Sequence, residues 1–424
     1  MKNYRPRILS EIFKISLTLL FITLAATAQN TVIKAGHLFD ARSGKMLDNR
    51  IIVVQDGKIK EVGANPKLSK EDKIIDLSNS WVLPGLMDCH VHITLNETYR
   101  NVTHEQTYAT ESTALRAIRG TVVAKQFLDN GFTTIKEIGN DANYATADII
   151  KAIKKGWIQG PTIIYAGKII APFGGQSRGV NVEHEGFWKF EYIDADTPDE
   201  IRKAVRQNIY YGATVIKMVT GDNGIYDVED IKAAVDEAKK YGLKVTVHVA
   251  FNAGATNVIL GGVAAIEHGF DLDDTQLQLM KDKGTFLVGT DFSYDNWYAY
   301  GRTDAAATKA LENKVVDRLK RAYKIGTKMA FGTDIIVDLP ELNRVQSSLK
   351  VLTSWNAAGI PPSYILQAMT INAAELLGLE KSRGVVEPSY YADIIALKNN
   401  PLENIEAIKS VRFVMKEGKV IRQD

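Results

Sequence analysis

The sequence predicts an α/β protein: a (β/α)8 TIM-type barrel with a small β-sandwich built from both termini. Three observations carry this. From about Leu83 to Asp334, short apolar runs rich in β-branched residues alternate with longer helical patterns. The runs number eight, the count of one closed barrel. The two flanks, Thr31–Val62 and Val385–Ile421, hold short strands and turns instead.

Taken in order, the first 28 residues stand apart from the fold. Lys2, Arg5 and Arg7 make a basic start, Ile15 to Ala26 is apolar, and Ala26-Thr27-Ala28 offers an A-x-A cleavage site. This pattern predicts a secretory signal over residues 1–28, hence an exported, periplasmic protein with no stable membrane anchor after cleavage. The apolar run is shorter than the roughly 20 residues a spanning helix needs. The segment carries four bases (Lys2, Arg5, Arg7, Lys14) and one acid (Glu11), so removing it takes the formal charge from +2 to −1. The basic balance therefore belongs to the leader, and nothing in the mature chain suggests a nucleic-acid partner. The single cysteine, Cys89, rules out an intrachain disulfide and reads as a small buried apolar side chain.

Residues 29–82 and 381–424 are expected to form the composite β-sandwich, with hairpin turns at Asp56-Gly57 and Glu417-Gly418. Residues 83–380 are expected to form the barrel. Its strands are placed near Leu83–Val91, Phe132–Ile138, Thr162–Ile170, Thr214–Val219, Lys244–Val249, Ala264–Glu267, Thr285–Gly289 and Lys328–Thr333. Their near-continuous apolar character marks strands covered on both faces. Helices fill the gaps. Thr197-Pro198-Asp199-Glu200 is a capped helix start, Val228–Tyr241 and Lys309–Ile325 stop at Gly242 and Gly326, and Gly131 closes the helix before the second strand. An open doubly wound sheet is the alternative, but no G-x-G-x-x-G opens a first helix.

The chemistry sits on the strands. His90-Val91-His92 ends the first one, and strand alternation puts both imidazoles on one face, where they can grip a divalent cation. Alone, the pair reads equally as two hydrogen-bonded core histidines. Lys217 lies in the fourth strand, His248 ends the fifth, His268 the sixth and Asp334 the eighth. In a barrel those ends converge on one mouth. Burying so many polar groups without partners costs several kcal/mol each, and a metal site removes that cost. Four of the seven histidines fall in this set.

These residues lie in motifs that resemble the amidohydrolase superfamily. Trp81-Val82-Leu83-Pro84-Gly85-Leu86-Met87-Asp88-Cys89-His90-Val91-His92 is similar to its first-strand signature. Gly131-Phe132-Thr133-Thr134, Ile266-Glu267-His268-Gly269, Gly332-Thr333-Asp334 and Ala392-Asp393-Ile394-Ile395-Ala396-Leu397 resemble its later motifs. The likeness runs from about residue 31 to the C-terminus and is strongest to the branch of Xaa-Pro dipeptidases, carboxypeptidase-like peptidases and imidazolonepropionases. It implies two divalent ions, zinc by default. His90, His92 and Asp334 would hold one and His248 and His268 the other. Lys217 resembles the lysine that takes up CO2 to become a bridging carbamate; its bland alternative is a snorkelling or salt-bridged lysine. The implied nucleophile is a metal-bridging hydroxide, with Asp334 carrying its proton to the leaving amine.

Substrate signals are thinner. The branch often has Gly-Gly-His after the third strand, where this chain has Gly174-Gly175-Gln176, and an aromatic residue two places after the fifth-strand histidine, where this chain has Ala250. Gln176 can hydrogen-bond a carbonyl but carries no charge. Arg178 and Tyr226, on expected mouth-side loops, are candidates for a substrate carboxylate or are ordinary loop residues. Asp291–Tyr300 is a candidate pocket wall, acceptor for a cationic side chain, or cover. The resemblance implies hydrolysis of an amide bond in a dipeptide or N-acyl amino acid. Ring opening of a cyclic amide is the enzymatic alternative, and a non-catalytic binding relative the alternative of another class. Assembly into a homo-oligomer stays open.

Overall fold

The structure is a computed structural model, and it describes residues 29–98, 104–139, 142–177, 180–222, 224–339 and 341–424. The expected signal segment 1–28 lies outside the described residues.

Parallel strands form the barrel wall. Leu86–Val91, Phe132–Glu137 and Thr162–Tyr165 pair in that order. Ile216–Val219, Val245–Val249, Ala265–His268 and Phe286–Val288 pair in a second group. Individual backbone hydrogen bonds join the groups. Thr214 N donates to Tyr165 O (2.7 Å), linking third to fourth. Residues 328–334 supply the eighth stave: Leu287 N donates to Lys328 O (2.9 Å), and Cys89 N to Phe331 O and Asp334 N to His90 O, both at 2.8 Å. These last bonds close the ring onto the first strand.

The third expected run, Thr162–Ile170, proves to be two strands. The chain bends at Gly167 (φ +74°) and resumes as Ile169–Ala171, which pairs with the fourth strand and with Tyr192–Asp194. Asn208 holds the bend, accepting from Lys168 N (3.1 Å) and donating to Lys168 O (2.8 Å). A Cβ at Gly167 would lie 2.8 Å from the Asn208 carboxamide oxygen, so the bend needs glycine.

Helices pack outside. Pro198–Tyr210 starts on the expected cap, with Thr197 and Glu200 satisfying each other's backbone N–H groups. Val228–Lys239 starts on Asp227 and ends two residues early, its last residues finishing in a turn. Ala305–Ile325 begins four residues earlier than expected, because Asp304 caps it. Among the described residues no helix is long and apolar enough to cross a membrane.

The termini form one seven-stranded sheet, ordered Lys419–Gln423, Val411–Lys416, Ile394–Leu397, Lys73–Pro84, Thr31–Asp40, Lys45–Gln55, Lys58–Gly63. Both predicted hairpins are present, at Asp56-Gly57 and Glu417-Gly418. The last strand folds back: Ile59 N donates to Tyr390 O and Ser389 N to Ile59 O, both at 2.8 Å. The two layers of the expected sandwich are thus halves of one sheet, closed over Ile33, Leu38, Ile52, Val82, Phe413 and Met415.

Candidate metal centre

The strand ends bring the predicted ligands together. His90, His92, Lys217, His248, His268 and Asp334 line one cleft of about 150 Å³, with Gln176, Leu95, Ile169, Phe292, Tyr300 and Ile336 as its other walls. His90 Nε2 and His92 Nε2 lie 3.3 Å apart. Asp334 Oδ1 lies 3.3 Å from the first and 3.2 Å from the second. His268 Nδ1 is 3.8 Å from Asp334 Oδ2. One potential ligand atom each from His90, His268 and Asp334 falls within a 4.8 Å circle.

The far sides of the rings decide which nitrogens face the cleft. His92 Nδ1 donates to the carbonyl of Gly139 (2.7 Å), an acceptor only. His90 Nδ1 donates to Glu267 Oε2 (2.8 Å). Glu267 is buried, yet Lys136, His90 and Lys217 hold its carboxyl well below the usual range, so it accepts. Both Nε2 lone pairs therefore point at each other and at Asp334, an arrangement that repels itself unless positive charge sits among them. Burial pulls His92 down, but its bonds to Asp334 and Glu137 outweigh this and lift it to about 10, the same demand for positive charge expressed as a proton. Burial holds His248 and His268 well below the usual imidazole range, Lys217 and His248 respectively adding to it. His268 Nε2 and Lys217 Nζ are buried with no hydrogen-bond partner, and burial pushes the Lys217 amine down to about 8. Nitrogen and carboxylate donors with orphaned buried atoms fit a divalent cation.

The backbone is strained at the same place. His268 (φ 71°), Thr290 (φ 43°) and Asp334 (φ 53°) hold left-handed conformations just where their strands end. Tyr300 braces one of them: its hydroxyl donates to Asp334 O (2.8 Å) and accepts from Ile336 N (3.0 Å).

The substrate candidates divide. Gln176 is in the cleft, its Nε2 donating to Asp222 Oδ2 (2.9 Å) and lying 3.4 Å from His248 Nε2. Tyr226 is not: it is 2% exposed and its hydroxyl donates to Ala195 O (2.6 Å), so the ring serves packing and cannot meet a substrate carboxylate. Arg178 lies outside the described residues. Of the Asp291–Tyr300 readings the pocket wall stands. Phe292 and Tyr300 stack at 5.2 Å and line the cleft, while Asp291 is buried with its Oδ1 on Arg318 Nη2 (2.8 Å), so its charge is already paired inside the protein.

Residue reading missed the support beneath the candidate ligands: Asp88, Lys136, Glu137 and Glu267, all buried. Asp88 accepts from His90 N (3.0 Å) and from Thr333 Oγ1 (2.7 Å), tying the first strand to the eighth. The signal was available, since charged residues inside an apolar strand had already singled out Lys217, and Lys136-Glu137 stand in just such a run.

Known proteins share this architecture. The Amidohydrolase family profile matches residues 81–421. The chain is 30% identical to an ochratoxinase of Aspergillus niger, over 95% of this chain and 89% of that one. It is 26% identical to an imidazolonepropionase of Kosmotoga olearia, over 88% and 91% respectively. A crystal structure of a Xaa-Pro dipeptidase with methionine bound in its active site superposes with a TM-score of 0.82 at 29% identity, covering 93% of this chain and all of the other. With the barrel and the C-terminal strands inside one matched profile, the chain belongs to the amidohydrolase family.

Proposed function

We propose that the protein is a binuclear metal-dependent amidohydrolase that cleaves an amide bond in a small substrate, a dipeptide or an N-acyl amino acid. The observation that carries this is the convergence of facing imidazole nitrogens and the Asp334 carboxylate on one cleft, with Lys217 Nζ and His268 Nε2 buried and unpartnered beside them.

His90, His92 and Asp334 would hold one ion and His248 and His268 the other, with zinc the first candidate. Such a pair supplies hydroxide near neutral pH and polarises the scissile carbonyl. The protein's own residues do the rest. Asp334 takes up the nucleophile's proton and delivers it to the leaving amine. Lys217, its amine pushed down to about 8 by burial, would as the neutral amine add to CO2 with release of one proton, and the resulting carbamate would give the ions an anionic oxygen donor in place of a buried cation. Gln176 offers its Nε2 beside His248 as a donor to substrate oxygen. Leu95, Phe292, Tyr300 and Ile336 make the remaining wall apolar, and the Tyr300 hydroxyl is already engaged. The wall therefore favours an apolar group next to the scissile amide.

The test is a hydrolysis screen of dipeptides and N-acyl amino acids with apolar side chains, run on zinc-reconstituted protein with elemental analysis alongside. Turnover with two ions per chain is expected. Full activity at one ion per chain would overturn the binuclear centre, and ring opening of a cyclic amide alone would overturn the substrate class. The basic start, apolar run and A-x-A site of residues 1–28 support export as part of this proposal; N-terminal sequencing of the exported chain should begin after Ala28.

A further inference from the structure

The barrel interior beneath the cleft holds a charge chain with no place in the chemistry above. Lys136 comes from the second strand and Glu267 from the sixth, and they are 1% and 0% exposed. Lys136 Nζ donates to Glu267 Oε1 at 2.6 Å. The Thr246 hydroxyl donates to the same oxygen. The other oxygen, Oε2, accepts from His90 Nδ1 at 2.8 Å. Lys136 also borders a separate cavity of about 110 Å³ at the bottom of the barrel, lined among others by Thr214, Lys244, Thr246 and Gly378.

We infer that Lys136 is a positioning residue, which acts through Glu267 to fix His90 with its proton on Nδ1 and its Nε2 lone pair in the cleft. A buried carboxylate holds its charge only beside a partner. Without Lys136 and Thr246 on Oε1 the Glu267 carboxyl group would be free to rotate away from Nδ1, and the His90 ring would lose the acceptor that orients it. Lys136 and Thr246 both grip Oε1, leaving Oε2 for the imidazole alone. Outer partners of this kind commonly set metal affinity within roughly 10- to 100-fold. The inference rests on the proposed role of His90 as a ligand, and the readouts below separate the two.

Zinc affinity, measured by chelator competition, is expected to fall roughly 10- to 100-fold in Lys136→Met, with KM little changed in the zinc-saturated enzyme. Lys136→Arg should keep most of the affinity. Lys136→Ala joins the side-chain space to the bottom cavity, so propylammonium should restore part of the zinc affinity while propionamide should not. A purely structural lysine would not respond to the amine. Should Lys136→Ala fail to fold, the neutral pair Lys136→Met/Glu267→Gln leaves no orphaned charge. Its affinity should match that of Glu267→Gln alone, because Lys136 has nothing left to act through. A further tenfold loss in the double variant would overturn the inference, as would a Lys136→Met protein that binds zinc as the parent does. The His90 tautomer, read from ¹⁵N shifts of the ring, isolates this inference from the metal reading. Nδ1–H in the parent and a mixture in Lys136→Met support it, even where zinc binding itself is absent; an unchanged tautomer sinks it, even where zinc binds in pairs.

Discussion

Left-handed backbone occurs at both the barrel mouth and the terminal sheet, for different reasons. At two hairpin turns of the sheet it falls on Asp56-Gly57 and Glu417-Gly418 (φ 51°, 79°, 48° and 75°), whose glycines take it without steric cost. At the mouth it falls on His268, Thr290 and Asp334. Thr290 is β-branched, and nothing local favours such a conformation for it. Its hydroxyl meets His268 Nδ1 at 2.8 Å. The sheet thus bends where its residues ask it to. The mouth bends because the surrounding barrel forces side chains toward one point, which is where strain signals function.

If that contrast is right, a change at the mouth should remove activity and spare the fold, and a change at a sheet turn should do the reverse. Asp334→Asn is the sharpest case. It would remove the proposed proton carrier and weaken a proposed ligand, so kcat should drop about 10²- to 10⁴-fold. The thermal transition should remain cooperative, because the Asp334 backbone bond to His90 O is untouched. A variant with near-parental kcat would show that another group moves the proton.

Lys217→Ala should follow with loss of metal and of most activity, leaving space for a small acid. Acetate or propionate should restore part of both, by standing in for the proposed carbamate. Lys217→Arg should not respond, since it fills the space and keeps its charge. Full activity of Lys217→Ala without added acid would leave a one-ion centre on His90, His92 and Asp334 as the better account.

The same contrast explains what could be read in advance. Both hairpins, the Thr197 and Asp227 helix starts and the eight staves follow local rules, so residue order reveals them. The six candidate ligands that line the cleft were legible too, because each is ionisable in an apolar run. The bend at Gly167 was not, because a long-range side chain, Asn208, holds it. Tyr226 was misread for a related reason. Its loop does lie near the mouth, but the ring turns inward to bond the Ala195 carbonyl, a choice set by tertiary packing. Glu267 and Lys136 escaped because a support residue makes sense only once the ring it supports is in place.

On the sheet side, Gly418→Ala should cost about 1–3 kcal/mol for the left-handed residue. A Cβ there would also approach Gly57 Cα to 2.8 Å. The melting temperature should fall while kcat and KM of the remaining folded enzyme stay unchanged. An equal loss of kcat would mean that the terminal sheet and the mouth are coupled, and the separation drawn above would fail.

The smallest effect belongs to Glu417, in the same turn. Its carboxylate meets Lys416 Nζ at 2.9 Å and Arg383 Nη2 at 2.5 Å. Burial raises its pKa, but these cations outweigh burial and hold it at about 2, below the ordinary 4.5. A depressed carboxylate contributes stability that is fully present above 4.5 and is lost as pH falls toward 2. The side chain is 46% exposed, so solvent screening keeps the contribution under about 1 kcal/mol. Glu417→Gln should therefore melt slightly below the parent at pH 7. That gap should narrow between pH 4.5 and pH 2, as the parent's own carboxylate takes up its proton. Activity at neutral pH should not change, since the cluster lies on the terminal sheet and none of its members lines the cleft. A gap that stays constant down to pH 3 would mean the loss comes from packing, with no electrostatic part for the proton to remove.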